Sequence, residues 1–336
     1  MTGSRRGPGQ HRAVLAETVA PLPPEGRPEP GPIALLPRPK QEFVDAVEAG
    51  GGVVEDLSEN TRGLLWLSYS NPEQLREVLQ ENPQIGWVQL PLAGVDAYAD
   101  VLRANARPGL LWTSAKGAYA EPVAEHALVL ALALLRMIPK RVRATSWSTV
   151  PEGRSLYGLN VVIIGAGGIA LELLRLLAPF DTHVTIVRRS AEPVADAVRT
   201  VQSDALADVL PDADVVIVAA ALVEGTTRLL GKREFALMKP SAYLVNIARG
   251  ALVDTDALVD ALASGEIAGA GVDVTDPEPL PDGHPLWSEP NCIVTPHAAD
   301  TPEMTAPLLA ERIRLNVEAF LGDGRFIGVV DPESGY

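Results

Sequence analysis

Apolar residues fall in short runs separated by stretches of helical spacing, and this alternation repeats along most of the chain. Ile33-Ala34-Leu35-Leu36 is a first run of strand length, followed by Phe43, Val44 and Val47 on a helix. Val53-Val54 leads only into a turn. Leu64-Leu65-Trp66-Leu67 is the next strand, with a helix over Pro72 to Gln80 whose proline suits a first turn. Ile85 to Leu90 and Leu110 to Thr113 give two more strands. The second leads through the loop Ser114 to Tyr119 into a long apolar helix from Glu121 to Arg136. A repeat of this kind predicts a parallel sheet covered on both faces.

The stretch from Lys140 to Leu159 is less regular and contains Trp147, Pro151 and Gly153, so the domain crossover is expected there. A second β–α series begins at Asn160. Its strands are Val161–Ile164, His183–Val187, Val215–Val218, Tyr243–Ile247, Gly269–Val274 and Cys292–Thr295. Six strands with intervening helices match a doubly wound, dinucleotide-binding domain. In the first of them four β-branched residues read as a fully buried strand, and Gly165-Ala166-Gly167-Gly168-Ile169-Ala170 follows at once. A G-x-G-x-x-A turn lets backbone approach a pyrophosphate, and the helix start behind it offers N–H groups and a positive dipole end. After His297 a helix from Pro302 to Phe320 packs back on the first lobe. The expected organisation is therefore α/β with two Rossmann-like lobes. Residues 1–30 form a flexible, Pro/Gly-rich tail, 31–139 plus 300–336 a smaller, flavodoxin-like substrate domain, and 140–299 the dinucleotide-binding domain.

Composition narrows the function classes. A hydrophobic fraction of 47% fills substantial cores, yet no apolar run approaches a membrane span. A net charge of −15 disfavours nonspecific binding to nucleic acid or anionic membranes. One cysteine, Cys292, excludes an internal disulfide and a cysteine-based zinc cluster and fits a reducing cytoplasm. The first thirty residues carry Pro8, Pro21, Pro23, Pro24, Pro28 and Pro30 but no apolar core of the kind a secretory signal needs.

Ligands of open α/β sheets bind outside the carboxyl ends of the strands, so polar residues that immediately follow strands are the informative ones. Arg249 follows Tyr243 to Ala248, Glu278 lies five residues beyond Asp273, and His297 follows Ile293-Val294-Thr295-Pro296. A cation, a carboxylate and an imidazole thus come from one edge of one sheet, the edge that also carries the glycine turn. Hydride transfer to a 2-keto acid requires such a set. A guanidinium grips the carboxylate bidentately and polarises the carbonyl, an imidazole gives the proton, and a carboxylate fixes the ring.

The same residues carry a resemblance. Asn246-Ile247-Ala248-Arg249-Gly250, Gly271-Val272-Asp273-Val274 with Pro277-Glu278-Pro279, and Asn291 to His297 resemble the signatures of the D-isomer-specific 2-hydroxyacid dehydrogenases. Leu92-Ala93-Gly94-Val95-Asp96, Ala124-Glu125-His126-Ala127 and Met238-Lys239-Pro240 extend the likeness from Ile33 to Phe320. The resemblance implies that Arg249, Glu278 and His297 are the catalytic set. It also implies that backbone at Leu92, Ala93 and Gly94 holds the substrate carboxylate together with Arg249, and that Asp273 orients the nicotinamide amide. Gly165, Gly167, Gly168, Ile169, Ala220 and Ala248 would border the cofactor, and the long helix would build a homodimer. His126, on an apolar helix, reads as structural or hinge-related. Ala221 and Val223 stand where family members often carry Pro and Thr.

At the end of the second strand, NAD-binding proteins place an acidic residue on the ribose hydroxyl. Here Thr185-Ile186-Val187 is followed by Arg188-Arg189-Ser190, two guanidiniums and a hydroxyl that suit a 2′-phosphate. NADP is therefore expected in preference to NAD. The expected activity is reduction of a small 2-keto acid to the D-2-hydroxy acid. The alternatives are a catalytically silent dinucleotide-binding sensor and a short-form phosphoglycerate dehydrogenase.

Overall fold

A computed structural model describes residues 10–16, 19–190 and 192–335. The chain folds as two units, one of residues 1–119 with 301–336 and one of residues 120–300.

The first unit opens with strand β1 (Ile33–Leu36), helix α1 (Gln41–Ala49), β2 (Gly63–Trp66), α2 (Pro72–Glu81), β3 (Trp87–Gln89), α3 (Ala99–Ala104) and β4 (Leu111–Thr113). β1 to β4 lie side by side in parallel, and Val54 adds a single parallel bridge outside β1. With Val54 counted as a vestigial strand, the order is the flavodoxin-like 2-1-3-4-5. α2 starts as expected: Pro72 sits in its first turn and Asn71 accepts from the Gln74 N–H. Trp66, Trp87 and Trp112 are fully buried in the sheet, and two of their indole N–H groups are satisfied. Trp66 donates to Tyr98 Oη at 3.1 Å and Trp87 to Thr113 Oγ1 at 2.9 Å.

The second unit begins with α4 (Ala120–Leu135) and α5 (Ile138–Val142). It continues with β5 (Asn160–Ile164), α6 (Gly168–Leu177), β6 (His183–Arg188), β7 (Arg199–Gln202), α7 (Leu206–Val209) and β8 (Val215–Val218). Then come α8 (Lys232–Leu237), β9 (Tyr243–Asn246), α9 (Thr255–Ser264), β10 (Gly269–Val272), α10 (Pro285–Ser288) and β11 (Cys292–Val294). All seven strands pair in parallel in the order β7-β6-β5-β8-β9-β10-β11, so the chain reverses direction of growth between β5 and β8. The glycine turn lies at that switch point, where doubly wound sheets bind their ligands. Val162, Ile164, Val216, Val218, Leu244 and Val272 are among the core residues of this sheet.

The chain then returns to the first unit with α11 (Pro302–Leu321), which packs on α1, and β12 (Val329–Val330), which pairs antiparallel with β4. Asn316 of α11 is fully buried. Its amide donates to Gln89 Oε1 at 2.7 Å and to the Ile327 carbonyl at 3.0 Å, and its oxygen accepts from the Ile327 N–H.

Three features differ from the sequence expectation. A seventh strand, β7, extends the second sheet. The division between units falls at Tyr119–Ala120 rather than at 140, because Ala/Leu-rich α4 packs on α6 and on β9, β10 and β11. Leu130 and Leu134 lie directly over Gly271 and Gly269, and burying each leucine contributes about 1.5–3 kcal/mol to that association. Finally, the tail expected over 1–30 is held to the first unit at Val14 and at Leu22. Val14 N–H donates to the Gly117 carbonyl and Leu22 N–H to the Gly324 carbonyl, while Arg27 Nε donates to the Leu22 carbonyl. Residues 1–9, 17 and 18 of that segment lie outside the described residues.

Candidate active site

Arg249, Glu278 and His297 all lie at the carboxyl edge of the second sheet, behind β9, β10 and β11. The turn carrying Arg249 is held by buried Asn246, whose side-chain oxygen accepts from the Ala248 N–H at 3.1 Å and whose amide donates to the Arg249 carbonyl at 3.0 Å. The guanidinium is half-buried and donates to the Ala248 carbonyl at 2.8 Å. Gly250, the next residue, approaches the loop behind β10 so closely that a Cβ would lie 1.9 Å from the Thr275 carbonyl oxygen. Only glycine permits that approach, which joins the Arg249 turn to the segment leading to Glu278. Thr255 Oγ1, donating to the Asp276 carbonyl at 2.7 Å, adds a second tie.

His297 Nδ1 and Glu278 Oε1 are 2.6 Å apart. An ionised carboxylate only accepts, so Nδ1 carries the hydrogen and Nε2 is the ring atom that Glu278 does not engage. Both side chains are about half exposed. His297 has φ 50°, in the left-handed region. Asp273, only 2% exposed, holds that backbone: one carboxylate oxygen accepts from Thr295 Oγ1 at 2.6 Å and Ala298 N–H at 2.8 Å, and the other from Ala299 N–H at 3.1 Å. His126 Nε2 of α4 reaches Thr295 Oγ1 at 3.0 Å and the same Asp273 carboxylate at 3.5 Å. Burial pushes the Asp273 carboxyl up, but its hydrogen bonds to His126, Thr295 and Ala298 outweigh that and hold it below the usual carboxylate range.

Sequence reasoning missed the place of Thr295 and Asp300. Thr295 hides as an ordinary strand-end threonine. Asp300 lies close enough to sense the His297 turn: burial pushes its carboxyl up, the His297 imidazole opposes this, and Asp273 adds to it. Their position within a few residues of His297 was the available signal. Cys292 is no nucleophile, since burial pushes its thiol up to about 12. Lys239 of the Met-Lys-Pro motif sits at the opposite edge of the sheet, where it and Arg154 pair with Asp214 just before β8. No group of three or more His, Cys, Asp or Glu side chains among the described residues is placed to hold a metal ion.

The candidate dinucleotide residues lie on the same edge. Gly165 has φ +121°, and a Cβ there would lie 2.4 Å from the Ala219 carbonyl oxygen, so the turn closes tightly beside Ala220. α6 starts at Gly168 with no side chain capping it, next to Ile169. Arg188, the last residue of β6, is half-buried, and Arg189 behind it is exposed, with Ser190 next in the chain. A tight backbone turn, an uncapped helix start and two guanidiniums at the next strand end fit a phosphorylated dinucleotide. Ala248 is buried beside Arg249. In the first unit, Leu92, Ala93 and Gly94 follow β3, with Ala93 exposed and Leu92 and Gly94 half-buried.

A family model described as D-isomer specific 2-hydroxyacid dehydrogenase, NAD binding domain, matches residues 127–299. A Corynebacterium melassecola protein described only as an uncharacterized protein in the proB 3′ region is 40% identical, covering 88% of this chain and 97% of its own. A glyoxylate reductase of Pyrococcus furiosus is 33% identical over 84% of this chain and 82% of its own. The crystal structure of a D-isomer specific 2-hydroxyacid dehydrogenase from Xanthobacter autotrophicus Py2, in complex with NADPH and MES, superposes with a TM-score of 0.78. It is 27% identical and covers 91% of this chain and 99% of that one. With the Arg, Glu and His signatures at one sheet edge and a Rossmann-like fold behind them, the chain belongs to the D-isomer specific 2-hydroxyacid dehydrogenase family.

Proposed function

We propose that this chain reduces a small 2-keto acid to the D-2-hydroxy acid with NADPH as the preferred donor. The observation that carries the reading is the 2.6 Å pairing of His297 with Glu278, one strand from the Arg249 turn. A bound nicotinamide supplies the hydride. Arg249 grips the substrate carboxylate and draws electron density from the carbonyl. His297, with its Nδ1–H held by Glu278, donates the Nε2 proton to the carbonyl oxygen as the alkoxide forms, and the neutral ring keeps its Nδ1 hydrogen. Gly165, Gly167, Gly168 and Ile169 seat the pyrophosphate. Arg188, Arg189 and Ser190 take the ribose 2′-phosphate in place of the carboxylate that would meet an NAD ribose. Leu92, Ala93 and Gly94 offer backbone N–H groups to the substrate carboxylate. The glyoxylate reductase relatives and the NADPH named in the Xanthobacter structure favour the same chemistry. Exposed Val129, Ile138 and Val142 along α4 and α5 are the apolar surface a second copy would cover in a homodimer.

The test is the loss of near-ultraviolet NADPH or NADH absorbance with glyoxylate, hydroxypyruvate and pyruvate. Turnover with kcat/KM at least about tenfold higher for NADPH is expected, the discrimination two charged hydrogen bonds supply. No turnover with any keto acid, despite cofactor binding, makes the chain a dinucleotide-binding sensor instead.

A further inference from the structure

The carboxyl ends of β3 and β4 carry two loops that are joined by a hydrogen bond from the Ala115 N–H to the Leu92 carbonyl, 2.9 Å. The loop behind β4, Ser114 to Tyr119, is clamped by Arg312 of α11, which is 2% exposed. Arg312 Nη1 donates to the Ser114 carbonyl at 2.6 Å and Nη2 to the Lys116 carbonyl at 2.9 Å. The same loop also receives a segment from far outside the sheet. Val14 N–H donates to the Gly117 carbonyl at 2.9 Å. A Cβ built on Gly117 would lie 2.4 Å from the Val14 carbonyl oxygen and 3.2 Å from Leu15 Cδ2.

Ala13, Val14 and Leu15 therefore lie on the loop that adjoins Leu92, at the strand ends where ligand loops of parallel sheets gather. The segment contributes no strand, and Arg312 already fixes the loop from within, so holding the loop does not require it. Its side chains here are apolar, and Leu15 stays 38% exposed beside Gly117. Apolar bulk beside a carboxylate-binding loop, but outside the groups that react, selects by the size of the remaining substituent.

We propose that Ala13–Leu15 are a specificity wall that restricts the reductase to 2-keto acids with a small substituent on the keto carbon. This rests on the reading of Leu92–Gly94 as the loop that holds the substrate carboxylate. Removing the wall admits longer or aromatic side chains without touching cofactor binding.

The experiment compares the full-length chain, a Leu15→Ala variant and a chain shortened to begin at Ala20, using NADPH with glyoxylate and with phenylpyruvate. The expected result is a rise of about tenfold in the phenylpyruvate-to-glyoxylate ratio of kcat/KM in the shortened chain. Leu15→Ala should give a smaller rise, and the KM for NADPH should stay constant in both. An unchanged ratio in both variants overturns the proposal while leaving the proposed reaction intact. A shortened chain that loses all turnover, with an unchanged ratio in Leu15→Ala, assigns the segment to stability and overturns it too. Absence of keto-acid turnover in the full-length chain overturns the proposed reaction and this inference together.

Discussion

The Gly250→Ala substitution acts where the loops behind β9 and β10 meet. The added methyl would sit 1.9 Å from the Thr275 carbonyl oxygen and 2.6 Å from the Asp276 nitrogen, whereas ordinary contact begins at 3.4 Å. Both neighbours are backbone, so one loop must withdraw from the other by about 1.5 Å, the difference between 3.4 Å and 1.9 Å. Overpacking of this kind costs ~1–3 kcal/mol of stability, which a folded two-unit chain can survive. The larger consequence is geometric. Arg249 is the adjacent residue and Glu278 lies on the displaced segment, so the spacing between the proposed carboxylate grip and the Glu278–His297 pair proposed to give the proton changes. A misplacement of about 1 Å in a catalytic constellation lowers turnover on the order of a hundredfold. The assay is kcat and KM for glyoxylate, with KM for NADPH and the thermal midpoint measured alongside. The expected outcome is a loss of about a hundredfold in kcat/KM. NADPH affinity should change much less than kcat/KM, because Ala248 alone of the proposed cofactor-bordering residues lies in the displaced turn and the glycine turn lies behind β5, two strands away. Wild-type kcat/KM in a folded Gly250→Ala variant would refute the claim that Arg249 must hold a fixed distance from the Glu278–His297 pair.

Two other substitutions probe the cofactor end and the support of the His297 turn. The double variant Arg188→Ala and Arg189→Ala should raise the KM for NADPH by at least about tenfold, since hydrogen bonds to charged groups contribute ~1.5–3 kcal/mol, while NADH use changes little. Equal NADPH use by the variant removes the 2′-phosphate role. Asp273→Asn should lower stability by ~1.5–3 kcal/mol at neutral pH, because Ala298 and Ala299 N–H and Thr295 lose a charged acceptor. The native carboxyl lies below its unfolded range, so its contribution is fully present above about pH 4 and fades as the pH falls through the lowered native value. Thermal unfolding of both proteins across that range should show the gap closing on the acid side; a pH-independent gap contradicts the assignment.

The second sheet was legible at its centre because strands such as Val161–Ile164 and Val215–Val218 are buried on both faces and read as uninterrupted β-branched runs. β7 was not, because Arg199-Thr200-Val201-Gln202 is an edge strand with only Val201 buried. Nothing in its sequence separates it from a polar loop. α4 was legible as a helix from its Ala/Leu run, but not its allegiance. An apolar helix with buried residues on several faces carries no mark of which sheet it will cover, and the partner that decides it, Gly269 and Gly271 of β10, lies more than a hundred residues on. The N-terminal stretch failed for the opposite reason. Its proline content suggests a free tail, yet it is held by backbone groups such as Val14 N–H, which any sequence supplies. At the candidate site, position after a strand singled out Arg249, Glu278 and His297, and the structure brings all three to one sheet edge. The scaffold behind them was hidden. Asp273, Thr295 and His126 act through a network joining α4 to the His297 turn, and no single motif spells such a network.

The most direct measurement is the turnover of His297→Ala with glyoxylate under saturating NADPH, together with NADPH affinity by fluorescence titration. If His297 gives the proton to the forming alkoxide, kcat falls by on the order of a hundredfold or more while NADPH affinity stays at the wild-type value. Turnover equal to wild type would take His297 out of the reaction and contradict the Arg249–Glu278–His297 assignment.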